Sequence, residues 1–142
     1  MPEQRTVDRA RRARREGKRP TTQAGEFIRE EIHHIRGGKH GARSTKQAIA
    51  VGLSKARRAG VKLGPPPAGT KAGTRTSAAY ASRAAGRDRK PSRTRSRAIS
   101  RALKREGRGS ASGKALARQA RQAASRRGAA ARKAAARKAI AT

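Results

Sequence analysis

The clearest potential for chemistry lies in a glycine-rich turn, residues 37–43 (GGKHGAR), which leads into a capped helix. The N-terminus of a helix presents free N–H groups and a partial positive charge, and the two together favour a phosphate. Lys39, Arg43 and Lys46 surround that position, and His40 adds a further cation when it is protonated. The turn is therefore a candidate seat for a backbone phosphate. The alternative is a flexible connection between helices whose charge is incidental.

The charge balance of the whole chain points to the same kind of ligand. The 142 residues contain 39 Lys and Arg against eight Asp and Glu, which gives a formal net charge of +31. Of the cations, 28 are Arg, whose guanidinium pairs with two phosphate oxygens and keeps its charge. So many like charges would repel one another in an isolated chain, so we expect a polyanionic partner. The arginine excess favours nucleic acid over an anionic membrane.

Acids and histidines raise the possibility of a metal site. Glu30 and His33 have the i, i+3 spacing of carboxylate–histidine pairs on helices. One such pair is not enough, and His33 and His34 would point about 100° apart on a helix. The chain has no cysteine to supply thiolate ligands. We expect no metal and no cofactor. Since no nucleophile and base can be paired from so few candidates, we also expect no enzymatic activity.

The first element that would position the turn is a helix from near Thr22 to Arg36. Its apolar stripe, with Phe27 beside it, follows the 3.6-residue period at Ile28, Ile32 and Ile35. Acids in the N-terminal half of this helix would complement its dipole: Glu26, Glu30 and Glu31. Gly37 and Gly38 are expected to end it.

The second helix has a clearer start. Ser44 and Gln47 form a capping box just before an apolar run. The expected buried stripe consists of Ile49, Leu53 and Ala56. Gly60 suits the left-handed position after the last turn, with Val61 as its hydrophobic partner. The prolines at 65–67 then end regular structure.

The remaining residues contain too little apolar material for a large core. Ile, Leu, Val and Phe total 14, about a tenth of the chain, whereas less than roughly 20% with a high net charge is typical of disorder. The predicted fold class is all-α: a two-helix hairpin between a basic arm and a largely disordered basic tail that becomes helical on binding. The predicted regions are a basic arm at 1–21, the hairpin at 22–63, a linker at 64–91 and the tail at 92–142. Such a small hairpin suggests a homodimer through residues 27–63.

Residues 24–50 (AGEFIREEIHHIRGGKHGARSTKQAIA) and 43–60 (RSTKQAIAVGLSKARRAG) resemble a family of small basic bacterial proteins that is defined by a short domain of unknown function. Residues 96–109 and 114–128 resemble the tail of its longer members. The pentad Ala-Ala-Ala-Arg-Lys, which occurs twice in 129–138, resembles the tails of linker-histone-like proteins. The resemblance implies a bacterial, intracellular setting and at most DNA binding. It implies no site residues.

The scarcity of aromatic side chains bears on the mode of binding. Phe27 and Tyr80 are the only aromatics, whereas proteins that bind single strands stack bases on exposed aromatic rings. Binding would then come from phosphate contacts and counterion release. The expected contacts in residues 1–63 are Arg11, Arg12, Arg14, Arg15, Lys39, Arg43, Lys46, Arg57 and Arg58. Those in the tail are Arg126, Arg127, Arg132, Lys133, Arg137 and Lys138.

These patterns predict a histone-like, nucleoid-associated protein that binds duplex DNA without sequence preference. One alternative is a ribosome-associated or other RNA-binding basic protein, because basic tails also enter folded RNA. Another is a protein-interaction module that the charge only anchors. The N-terminus lacks the apolar segment of a secretory signal, and no apolar run is long enough for a membrane span, so a cytoplasmic location is expected.

Overall fold

A computed structural model describes residues 1–87 and 92–141 of the chain. All regular structure in these ranges is helical, and no strand occurs in them. The elements are α1 (Gln4–Arg15), α2 (Pro20–Arg36), α3 (Thr45–Arg58), α4 (Ala72–Arg83), α5 (Arg93–Arg105), a 3-10 turn (Gly109–Ala111), α6 (Gly113–Arg126) and α7 (Gly128–Ile140). None of these helices is both long and apolar enough to cross a membrane.

The predicted two-helix hairpin with a disordered tail is wrong, although the all-α class is confirmed for the described residues. The expected arm contains α1, the expected linker contains α4, and the expected tail contains α5, α6 and α7. Residues 88–91, at the end of the expected linker, and residue 142 lie outside the described ranges. The prediction failed because it counted only large apolar residues. Alanine has the highest helix propensity, and alanines also occupy much of the core.

The close packing of α1 on α2 shows how small residues bury a helix. Thr6, Ala10 and Ala13 form the buried face of α1, which packs against α2. Ala10 joins Ala24 and Phe27 in one core cluster, with Val7 packed at its edge. A helix surface of methyl groups lets the two backbones approach closely. The residues expected to form a free arm are therefore part of the folded centre.

The contact between α2 and α3 also depends on small side chains. A Cβ atom on Gly52 would lie 2.8 Å from Cα of Ile28, so the helices cross almost backbone to backbone at this point. The buried face of α3 contains Ala48, Gly52 and Ala56, while the larger Ile49 and Leu53 are only partly buried. The expected stripe was therefore correct in period but rotated, because the close crossing selects the smallest side chains.

The observed ends of these helices mostly match the ends expected from the sequence. The N-cap of α3 is Ser44, whose side chain accepts a hydrogen bond from Gln47 N at 3.1 Å. Gly38 and Gly60 have φ values of 76° and 89°, as expected for glycines that end helices. The expected N-cap at Thr22 is wrong, because α2 already begins at Pro20 with Arg19 before it. A proline is favoured in the first turn since its missing N–H would be unpaired there.

The C-terminal half contributes to a second core cluster. Ala111, at the end of the 3-10 turn, is fully buried. It packs in one cluster with Ile32, Ile35, Ala42 and Ala48. α4 packs on α3, and α6 contacts both α3 and the 3-10 turn. In contrast, α5 packs on no other helix of the described chain, and α7 contacts only α6. The fold therefore consists of a packed centre with two basic helices that project from it.

Candidate nucleic-acid interface

The N-terminus of α3, the expected phosphate seat, has a side-chain partner for one of its N–H groups, and so does the residue before its N-cap. Gln47 N donates to Ser44 Oγ at 3.1 Å, and Arg43 N donates to Gln47 Oε1 at 2.7 Å. The side chains of Arg43 and Lys46 are exposed beside it. The capping box thus stabilises the helix, and the exposed cations remain available to an external anion.

The two other residues of the expected seat contact acids. Lys39 Nζ lies 3.3 Å from Glu3 Oε1 and 3.2 Å from His34 Nε2. His40 Nε2 lies 3.0 Å from Glu31 Oε1. These contacts connect the turn to α2 and to the residue before α1. The structure therefore separates the expected set into Arg43 and Lys46, which face outward, and Lys39 and His40, which contact acids of the centre.

The segment that follows α5 covers the other side of the turn. Gly41 N donates to Leu103 O at 2.8 Å, and Ala42 N donates to Gly107 O at 3.1 Å. A Cβ atom on Gly41 would lie 1.9 Å from Glu106 O, so only glycine allows this approach.

Two side chains complete the docking of this segment. Arg36 Nε donates to Ala111 O at 2.8 Å, and Thr45 Oγ1 donates to Ser110 O at 2.7 Å. Both donors come from residues next to the turn, and both acceptors are backbone carbonyls around the 3-10 turn. The docking fixes the C-terminal end of α5 against the α2–α3 corner.

This docking creates a cleft with two cations that the sequence did not single out. The cleft has a volume of about 340 Å³ and is lined by Gly38, His40, Gly41, Lys104, Glu106 and Arg108. Lys104 and Arg108 come from the C-terminal half of the chain, more than 60 residues after the turn. Only their position in the tertiary structure identifies them, because sequence spacing cannot relate them to His40.

The acids of α2 lie inside the folded centre. The side chains of Glu30 and Glu31 are almost fully buried, and Lys55 Nζ lies between them, 3.3 Å from Glu30 Oε1 and 2.7 Å from Glu31 Oε2. Glu30 Oε2 also accepts from Glu3 N at 3.1 Å. Glu26 Oε2 pairs with Arg9 Nε of α1 at 2.8 Å. The expected role of these acids, to complement the dipole of α2, is secondary to the ion pairs that hold three helices together.

Opposing effects set the pKa of Glu30. Burial raises the pKa of this carboxyl, but hydrogen bonds from Thr6 and from the backbone of Glu3, with the charge of Lys55, outweigh burial and keep the pKa below its usual value. Hydrogen bonds from His34 and Lys39 likewise lower the pKa of Glu3. Both carboxyls are therefore charged at neutral pH, the one on Glu30 inside the centre and the one on Glu3 at its surface.

The other predicted contacts in residues 1–63 differ in exposure. The α1 arginines are exposed: Arg11, Arg12, Arg14 and Arg15. Arg58 is also exposed, whereas Arg57 is only 8% exposed and its guanidinium donates to Gly64 O at 3.1 Å. Arg57 thus stabilises the end of α3, and the other five remain accessible.

The projecting helices carry the remaining predicted contacts. All six predicted contacts on α6, α7 and their junction are exposed: Arg126, Arg127, Arg132, Lys133, Arg137 and Lys138. α5 adds a stripe that sequence reasoning did not select: Arg93, Arg97, Arg101 and Arg105. Their four-residue spacing places the four side chains on one face of the helix, about 6 Å apart along its axis. The four-residue repeat is visible in the sequence. The sequence does not show that α5 lacks a packing partner among the described helices.

A comparison of the chain with protein-family models, with curated proteins and with solved structures finds no match. The resemblance to the family of small basic bacterial proteins accordingly stays a prediction.

Proposed function

We propose that this chain is a non-catalytic DNA-binding protein that neutralises duplex phosphates without reading sequence, as histone-like nucleoid proteins do. The observation that carries the proposal is the separation of charge. Six of the eight acids precede residue 32, and most of them form ion pairs in the packed centre. Residues 92–141 contain sixteen Lys and Arg but a single acid, Glu106. The outer helices therefore present an almost uninterrupted cationic surface.

The arrangement of α5 gives this surface a plausible geometry. Docking at Gly41 and Ala42 holds its C-terminal end, while its arginine stripe makes no helix–helix contact in the described chain. An α-helix fits the major groove, and guanidinium groups pair with phosphate oxygens on the groove walls. Lys104 and Arg108 continue the cationic surface into the cleft beside the turn.

The sparse aromatic content favours a duplex over a single strand. Tyr80 is 57% exposed, while Phe27 is fully buried. A single exposed ring offers little base stacking, so affinity would come mostly from the release of counterions. Structured RNA shares the phosphate chemistry, and the experiment below separates the two nucleic acids.

The test is a salt titration of the full-length protein on matched duplex DNA, single-stranded DNA and structured RNA. We expect tightest binding to duplex DNA, no dependence on its sequence, and an affinity that falls roughly a thousandfold between about 50 and 200 mM salt. Tighter binding to structured RNA at equal salt would replace the proposal with RNA binding. Weak binding to every nucleic acid would exclude both.

A pair of matched variants tests the part played by α5. Replacing the four stripe arginines with glutamine is expected to reduce the slope of log affinity against log salt by about 3.6, because each lost phosphate contact removes about 0.9. Replacing the same four with lysine keeps the charge and should leave the slope nearly unchanged. If the glutamine variant keeps the wild-type slope, α5 lies outside the interface.

A further inference from the structure

Three potential metal ligands meet at the α2–α3 corner, beside the cleft that Lys104 and Arg108 line. They are Glu31 and His34 of α2 and His40 of the turn, and one ligand atom from each lies within 4.8 Å of the other two. Glu31 is 1% exposed, and the two histidines are partly buried. The sequence suggested Glu30 with His33, but the fold turns Glu30 toward Thr6 and Lys55 and leaves His33 exposed.

The contacts of His40 suit a metal-binding imidazole. Its Nδ1 lies 3.0 Å from Gly41 O, and its Nε2 lies 3.0 Å from Glu31 Oε1. When Nδ1–H donates to the carbonyl, the lone pair of Nε2 points toward the carboxylate. Two electron-rich atoms so close together repel unless they share a cation, which is either a proton on Nε2 or a metal ion. Many metal-binding histidines are oriented by a hydrogen bond from their second ring nitrogen. In His40 that bond would go from Nδ1 to the backbone carbonyl of Gly41.

The neighbours of Glu31 and His34 also hold these side chains in place. Lys55 Nζ binds Glu31 Oε2 at 2.7 Å, which leaves Oε1 directed at His40. Glu3 Oε1 lies 2.9 Å from His34 Nε2, a carboxylate–histidine contact of the kind found around metal centres. Each of the three candidate ligands thus has a second contact that orients it.

The donor set identifies the class of ion. Two imidazole nitrogens with one carboxylate oxygen suit Zn²⁺, whereas Mg²⁺ and Ca²⁺ prefer oxygen ligands alone. Bonds of about 2.1 Å in a tetrahedron place ligand atoms roughly 3.4 Å apart, so the Glu31–His40 pair is nearly in place and His34 has to approach by at most about 1.4 Å. Water would complete the fourth position.

Carboxylates in this region offset part of the net positive charge of the chain. Glu3, Glu30 and Glu31 lie near the ammonium groups of Lys39 and Lys55, and Glu106 accompanies Lys104 and Arg108 in the cleft beside His40. Lys55 binds Oε2 of Glu31, whereas the ion would bind Oε1. Lys39 is 62% exposed and lies 3.2 Å from His34 Nε2. It opposes a bound ion, but its side chain can turn into solvent.

From this geometry we infer that Glu31, His34 and His40 form a structural Zn²⁺ site that links α2 to the turn. Such an ion would fix the backbone at His40 and Gly41, the point at which the segment after α5 docks. The ion would therefore stabilise the attachment of the basic helices to the centre. The inference does not depend on the proposed DNA binding.

The test is calorimetric titration of Zn²⁺ into chelator-treated full-length protein, with Co²⁺ absorption as a report of ligand geometry. We expect one ion per chain, a tetrahedral Co²⁺ spectrum and a higher Tm with Zn²⁺. His40→Gln and His34→Gln should each weaken affinity at least about tenfold and remove the Tm increase, with unchanged circular dichroism. Absence of binding by the wild-type protein would overturn the inference.

His33→Gln is the matched control, because His33 is an exposed histidine on the same helix but outside the cluster. It should keep wild-type affinity. If it loses as much affinity as His40→Gln, the ion binds surface histidines and the proposed site is wrong.

Lys39→Met removes the opposing ammonium group, so it should tighten Zn²⁺ binding. Weaker or equal binding in that variant would contradict the assignment of the ligands.

Discussion

The centre of the molecule, α1 to α3, and its outer helices, α5 and α7, are both helical but have different means of support. The centre buries alanines, glycine and a few large side chains, and ion pairs connect its helices. α5 and α7 bury no residue at all. Helix formation in the outer region therefore depends mainly on intrinsic propensity and hydrogen bonds within each helix.

This difference suggests how a strongly basic chain can fold and still offer its charge to a partner. Acids that would oppose phosphate binding are used as ion-pair partners inside the centre. The outer helices keep their cations exposed, and packing against other helices contributes little to their stability. If packing supports only the centre and the outer helices serve mainly to bind, substitutions in the centre should lower stability. Substitutions on α5 should then mainly weaken ligand binding.

The largest effect is expected for Lys55→Met. It leaves Glu30 and Glu31 buried without their shared ammonium group, and loss of one partner of a buried ion pair costs several kcal/mol. Since Lys55 is partly exposed, we expect unfolding free energy to fall by about 3 kcal/mol. Urea denaturation measures this change. The control is Lys62→Met, an exposed lysine, which should change stability by less than about 0.5 kcal/mol. Equal effects would show that the buried pairs contribute little.

A smaller and more local effect is expected for Gly41→Ala. The new Cβ would overlap Glu106 O, and overpacking of this kind costs about 1–3 kcal/mol. The cost can be avoided if residues 103–111 detach, so amide exchange should accelerate at Ala42 and around the 3-10 turn while α1 to α3 stay protected. Gly64→Ala is the control, because no atom lies within 4 Å of its added Cβ. Unchanged exchange in Gly41→Ala would mean that the segment is not docked as described.

The smallest effect is expected on α5. Ile99 is 54% exposed, so Ile99→Gln should alter unfolding free energy by less than about 0.5 kcal/mol. Ile35→Val, at a fully buried position, should cost about 0.5–1.5 kcal/mol although it removes only one methylene. Denaturant curves of the two variants give the comparison directly. A larger loss from the α5 variant would reveal a packing partner for this helix.

The sequence by itself determined the helical class, the main part of the α2–α3 hairpin and several of its ends. Local signals were enough there: the capping box at Ser44, glycines at Gly38 and Gly60, and an apolar stripe of helical period on α2. The cationic character of the chain also follows from composition alone. Each of these features depends on residues close together along the chain, which a sequence displays directly.

Only the tertiary structure decided which faces are buried and which polar groups meet. The close crossing at Gly52 made alanines into core residues, which the count of large apolar residues could not anticipate. Docking of the segment after α5 brought Lys104 and Arg108 beside the turn, and folding of the turn brought His40 to Glu31. These contacts depend on the relative positions of helices. Helix positions follow from packing throughout the chain, so no local pattern in the sequence records them.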